Sequence, residues 1–210
     1  DAIVEGSVLR AGNQVRITIQ LIESESDIHL WAESYVRDLE DVLKLQSEVA
    51  QSISQRIGTV LTPAEKELLA ATREVNPRAY QLYLRGDWYV LQLRKESFLK
   101  AVEFYQEAIA LDPSYAPAHS GLAIAYLSLC GWHSHADLRE LEIYKENARR
   151  AAGRGLELDP KLGEAHIALG RIQELFEWNW KAADREFQRG FELNPGSTYA
   201  QILYANFLTS

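Results

Sequence analysis

Methionine is absent from the 210 residues, cysteine occurs once, and no apolar run approaches a membrane span. The lone Cys130 excludes an internal disulfide and leaves the redox compartment undecided. A bilayer crossing needs about 20 consecutive apolar residues, so this segment is expected not to insert into a membrane. No basic stretch followed by an apolar one opens the chain, so no leader is read there. Basic charge is also short: the net charge of −8 argues against a nucleic-acid surface, which needs clustered Lys and Arg. The deficit sits at the front, where residues 1–62 hold ten acidic and five basic side chains against seventeen and fifteen over 76–210. Also missing are a Gly-rich phosphate loop, Gly-x-Ser-x-Gly, His-Glu-x-x-His and a convergent carboxylate pair. No catalytic residue and no cofactor is assigned, so within these residues an enzyme is not expected. A start at Asp1 inside a strand-like run and an end inside an unpaired helix read as a piece of a longer protein, whose catalytic domain would lie upstream.

What the chain does have is 47% hydrophobic residues, enough for a real core, and a thirteen-residue phrase written three times. The copies are AVEFYQEAIALDP from Ala101, ARRAAGRGLELDP from Ala148 and ADREFQRGFELNP from Ala183. Small residues hold the first position (Ala101, Ala148, Ala183) and the eighth (Ala108, Gly155, Gly190). The fifth is Tyr105, Ala152 or Phe187, and the eleventh is Leu111, Leu158 or Leu193. These offsets predict one helical stripe per copy, a face that one helix cannot bury by itself. The closing Asp-Pro or Asn-Pro stops each helix, because proline drives its predecessor out of the helical region and lacks an N–H.

After two of the prolines comes a second signature, Ala118-His119-Ser120-Gly121-Leu122-Ala123 and Ala165-His166-Ile167-Ala168-Leu169-Gly170, whose small residues predict close helix crossings. From Pro160 to Pro195 is 35 residues, near the period of a helical solenoid, whereas from Pro113 to Pro160 is 47, an insertion between Tyr126 and Ala148. The pattern resembles the tetratricopeptide repeat. The resemblance implies paired helices A and B stacked in an all-α right-handed superhelix over residues 77–210, with three repeats and a truncated fourth over Thr198 to Leu208. Leu82, Gly86 and Tyr89 stand at the family's helix-A core positions. It also implies a concave groove lined by helix-A residues, here Tyr80, Tyr83, Asp87, Ser120, Ile124, Ile167, Arg171 and Glu174, holding a peptide or protein partner. Two readings of that groove stand side by side: a partner fills it, or the protein's own other parts do.

Only residues 1–36 read as β structure. Val15, Ile17, Ile19 and Leu21 alternate with polar residues, Ala11-Gly12-Asn13 signals a hairpin from a strand over Ile3 to Leu9, and Ile28 to Val36 makes a third antiparallel strand with Trp31 and Tyr35 on one face. Three strands alone are marginal. A helix with Leu39, Val42, Leu43, Gln46, Val49, Ile53, Ile57 and Val60 at steps of three and four is predicted to cover them. The runs Val4–Val8, Arg16–Ile22 and His29–Tyr35 resemble the closing half of a TolB-like α/β domain. That domain precedes tetratricopeptide repeats in bacterial signalling proteins with cyclase, winged-helix or kinase modules. The expected organisation is α+β over 1–61, an ordered helical connector over 62–76 opened by the capping box Thr62-Pro63-Ala64-Glu65, then repeats over 77–210.

Three further candidates remain. Cys130, His133 and His135, with Asp137 behind, offer zinc-type ligands, but their spacing matches no closed site and a repeat insertion carries polar residues anyway. His119 and His166, equivalent in successive repeats, read as core histidines. Glu177-Trp178-Asn179-Trp180 reads as an aromatic wedge holding a helical hairpin closed, or else as a ligand platform. The leading functional expectation is a non-catalytic protein-interaction or sensory module of a bacterial signalling protein. The alternatives are a small-ligand sensor in the α/β part with the repeats as scaffold, and a metal-dependent enzyme at Cys130.

Overall fold

The computed structural model describes residues 2–38, 42–56, 75–132 and 138–209, which fall into two compact units, Asp1–Pro77 and Arg78–Ser210. In the first, β1 (Ala2–Ala11), β2 (Gln14–Glu23) and β3 (His29–Asp38) form an antiparallel sheet in the order β1-β2-β3. Ala11 pairs with Gln14 across a two-residue turn in which Gly12 has a φ of 61°, the left-handed value glycine supplies at least cost. The alternation on β2 is realised: Val15, Ile19 and Leu21 are buried, and across from Leu21 and Ile17 stand Trp31 and Tyr35.

Helix α1 (Val42–Arg56) packs on β3, with Arg37 paired to Glu48 at 2.9 Å and Ser52 donating to Glu33. Among its described side chains Leu45 is fully buried, and it is not on the stripe read from the sequence. Val49 and Ile53, which are on that stripe, are half-buried beside it, so the covering face takes in part of the expected one and Leu45 as well. Leu39, Ile57, Val60 and the capping box at Thr62 lie outside the described residues.

Among its described residues the second unit has helices and no strand. Its members are α2 (Pro77–Val90), α3 (Lys95–Leu111), α4 (Ala116–Trp132), α5 (Leu138–Leu158), α6 (Gly163–Leu175), α7 (Trp180–Leu193) and α8 (Thr198–Leu208). From α3 onward each helix packs on the next, and alternate ones meet as well, α4 on α6 and α6 on α8. The thrice-written phrase is therefore the second helix of each hairpin. Its first, fifth and eighth positions are buried in all three copies. The eleventh is not: Leu111 is 41% exposed, and Leu158 and Leu193 are half-buried. Ten residues at 3.6 per turn leave that leucine roughly 80° off the first position, at the margin of the stripe.

Tyr105 and Phe187, both fully buried, fill notches that glycines leave. A β-carbon placed on Gly86 or Gly121 would stand 2.5 or 2.6 Å from the Tyr105 ring, and one on Gly170 would stand 3.1 Å from Phe187. The corners repeat as well. Asp112 accepts from the backbone of Ser114 and Asp159 from that of Lys161. Six residues after each closing proline a side-chain N–H donates back to its carbonyl: His119 to Pro113, His166 to Pro160, Gln201 to Pro195, at 3.0, 3.2 and 2.9 Å. The histidines thus pin the corner of a hairpin. No described helix is long and apolar enough to cross a membrane.

Candidate functional site

Helices α2, α4 and α6 leave an open cavity of about 250 Å³ on one side of the second unit. Tyr83, Asp87 and Leu91 come from α2 and its end, Ser120 and Ile124 from α4, Glu164 from the first turn of α6. The helix-B residue Tyr105 reaches it from behind by passing between Gly86 and Gly121, and Ser197, the N-cap of α8, closes the far end.

Its polar centre is Asp87. The Tyr105 hydroxyl donates to it at 2.7 Å and Tyr83 is a second hydrogen-bond partner. Burial holds the Asp87 carboxyl above its ordinary range, the two tyrosines pull it back, and Glu164 nearby adds a same-sign push. The Tyr83 hydroxyl is raised by burial and by Asp87. Around it the rings form a connected wall: Tyr83 stacks on Tyr80 at 6.5 Å, tilts on Tyr105 at 6.0 Å and meets Tyr115 edge-on at 5.4 Å. Ser120 is buried and its hydroxyl donates to the Pro117 carbonyl, so it forms floor and not a free donor.

Of the eight groove residues proposed from sequence, Tyr83, Asp87, Ser120 and Ile124 line this cavity and Tyr80 stacks beside it. The third-repeat residues do not line it. Ile167 is 1% exposed and packs into the notch of Gly190, where a β-carbon would stand 2.7 Å from it, so it is core. Arg171 and Glu174 are spent on one another at 2.7 Å, with Glu174 buried. The sequence reading omitted Glu164. It stands three residues before Ile167 as Tyr80 stands three before Tyr83, so carrying the first-repeat pattern through would have found it.

The other candidates fare differently. Burial pushes the Cys130 thiol up to about 11, which keeps it protonated at neutral pH. His133, His135 and Asp137 lie outside the described residues, and among the described residues no group of three metal-ligating side chains forms. The tryptophan pair is a surface feature, not a wedge: Trp178 is 73% exposed and meets Trp180 edge-on at 6.2 Å, and Trp180 in turn lies against Phe207. Asn179 between them caps α7, accepting from the Ala182 backbone N–H.

Residues 94–129, spanning α3 and most of α4, match the TPR repeat family. The structure is similar to a thermophilic TPR protein of Thermus thermophilus, with a TM-score of 0.52, 17% identity and 80% of each chain covered. The second unit has the tetratricopeptide-repeat fold. A Rhizobium meliloti (strain 1021) protein named "Putative adenylate cyclase 3" is 37% identical over 126 residues, a match that takes in 60% of this chain and 22% of that relative's length.

Proposed function

We propose that the helical unit is a non-catalytic interaction module of a bacterial signalling protein, and that an extended peptide or partner segment binds the cavity between α2, α4 and α6. The observation that carries this reading is the cavity itself, where side chains from successive repeats meet in one open concave site walled by tyrosine. Tyrosine brings large contact area at low entropic cost and is enriched where binding energy concentrates. The TPR match over α3 and α4 and the cyclase-named relative support the setting. The first unit, three strands and a covering helix, is in this reading the TolB-like part that its sequence resembles, and binding would be relayed to a signalling effector.

The test is a peptide selection by display on the 210-residue chain, followed by titration of the selected peptides against wild type, Tyr83→Ala and Leu91→Ser. Leu91 is 73% exposed at the cavity rim, so its replacement leaves the fold intact. Selected peptides should lose affinity for both variants. A selection that yields only peptides indifferent to both substitutions would remove the reading.

A further inference from the structure

The cavity carries two carboxylates and, among its lining residues, no lysine, arginine or histidine. Asp87 enters from α2 and Glu164 from the start of α6, and Asp87 feels the charge of Glu164. Glu164 is held in place by the Asn194 amide and Asp87 by the Tyr105 hydroxyl. Two anchored carboxylates lining one small open cavity repel each other as long as no cation stands between them. Tyr83 and Tyr105 are part of the surrounding wall, with Val90, Leu91 and Ile124 supplying apolar contact. Such a space fits a flat cation on a long apolar stem.

We propose that the cavity between α2, α4 and α6 is a pocket for one arginine side chain of a bound peptide, the guanidinium meeting Asp87 and Glu164 and its methylenes lying along Tyr83 and Ile124. This rests on the interaction-module reading above and specifies the chemistry of its ligand. Arginine suits the site better than lysine for two reasons. Its planar head stacks on tyrosine, and its fork of donors can serve two carboxylates that arrive from different helices. The volume of about 250 Å³ accommodates one such side chain and not a folded partner, so the rest of the peptide runs over the rim. An acidic peptide is rejected by the same two groups.

The experiment uses three fluorescein-labelled seven-residue peptides of neutral flanking sequence, with arginine, citrulline or glutamate at the centre, titrated by anisotropy against the 210-residue chain. Citrulline keeps the shape of arginine and removes its charge. The arginine peptide should bind roughly tenfold or more tightly than the citrulline peptide, as a charge-assisted hydrogen bond in a buried site is worth. The glutamate peptide should be weakest. Asp87→Asn and Glu164→Gln should each bring the arginine peptide down toward the citrulline level without lowering the melting temperature.

Equal binding of arginine and citrulline, or an arginine preference that survives both substitutions, overturns the assignment. If all three peptides bind alike and lose affinity with Leu91→Ser, the arginine pocket falls and the groove reading stands. If none binds, the arginine pocket falls and the groove reading is decided by the peptide selection.

Discussion

Tyr105 reaches Asp87 through the backbone of two other helices: its ring lies against Gly86 of α2 and Gly121 of α4, and its hydroxyl donates to the carboxylate at 2.7 Å on the far side. One side chain therefore joins the core of the first hairpin to the floor of the candidate site. The phrase that repeats along the sequence supplies the ring, and small residues in the neighbouring helices supply the opening.

The opening can be tested by closing it. Alanine is the better helix former by about 1 kcal/mol, so Gly153→Ala on α5, where a β-carbon meets nothing within 4 Å, should stabilise the chain by about that much. Gly86→Ala makes the same backbone gain but places a methyl 2.5 Å from a ring that is 1% exposed and held from both sides. Overpacking of this kind costs about 1–3 kcal/mol, so the net effect should be destabilising. Urea unfolding of the two variants compares them directly, and equal gains would mean that the Tyr105 ring can move aside.

Asp87 gives the site a pH dependence whose sign is fixed by burial. Its folded carboxyl titrates above its ordinary value, so the native chain holds that proton more tightly than the unfolded chain does. The contribution is fully present below the unfolded carboxylate pKa of about 3.9 and is lost as pH rises through the higher folded value. Asp87→Asn keeps an oxygen for Tyr105 and cannot titrate. The stability of wild type relative to Asp87→Asn should therefore fall as pH is raised from acid toward neutrality, then level off. Parallel stability curves for the two proteins across that range would show that the carboxyl is solvated.

Much of this is legible in the sequence. The helical stripe announced Ala101, Tyr105 and Ala108 and their counterparts as buried, because a 3.6-residue period says which side chains share a face. It said nothing of depth. Ile167 reads as the groove residue of its repeat, yet it is swallowed because Gly190, 23 positions later, leaves it room. Leu45 escaped for a related reason, since several apolar stripes can be drawn on α1 and the choice between them is made by the sheet beneath it. Glutamates look alike in sequence whether they line a cavity, as Glu164 does, or are spent on a neighbouring arginine, as Glu174 is.

The histidines at the corners act as pins, and Gln201 does the same work in the last repeat. His119→Gln should therefore hold stability within about 0.5 kcal/mol, whereas His119→Ala leaves the Pro113 carbonyl without this donor and should cost about 1–3 kcal/mol. Thermal unfolding of both variants separates the two roles. A glutamine variant as unstable as the alanine one would show that the ring's packing, and not its N–H, is what α4 needs.

Two of the hairpins turn on residues that chirality disfavours there. Leu93, between α2 and α3, has a φ of 50°, and Trp178, between α6 and α7, has a φ of 52°, left-handed values that cost a side-chain-bearing residue about 1–2 kcal/mol. Both side chains are mostly exposed, at 64% and 73%, so little packing offsets the strain. Leu93→Gly and Trp178→Gly should each raise stability, by about 1 kcal/mol after glycine's own loss of chain entropy. The two substitutions then diverge in what they say about function. Leu93 sits near the cavity end of α2 but does not line it, so its glycine variant should bind the selected peptides as wild type does. Trp178 contributes half of an exposed tryptophan pair, so a loss of peptide binding in its glycine variant, at higher stability, would extend the bound surface to the outer end of α7. Unchanged stability in both variants would show that the unfolded chain gains as much freedom from glycine as the turn gains in relief.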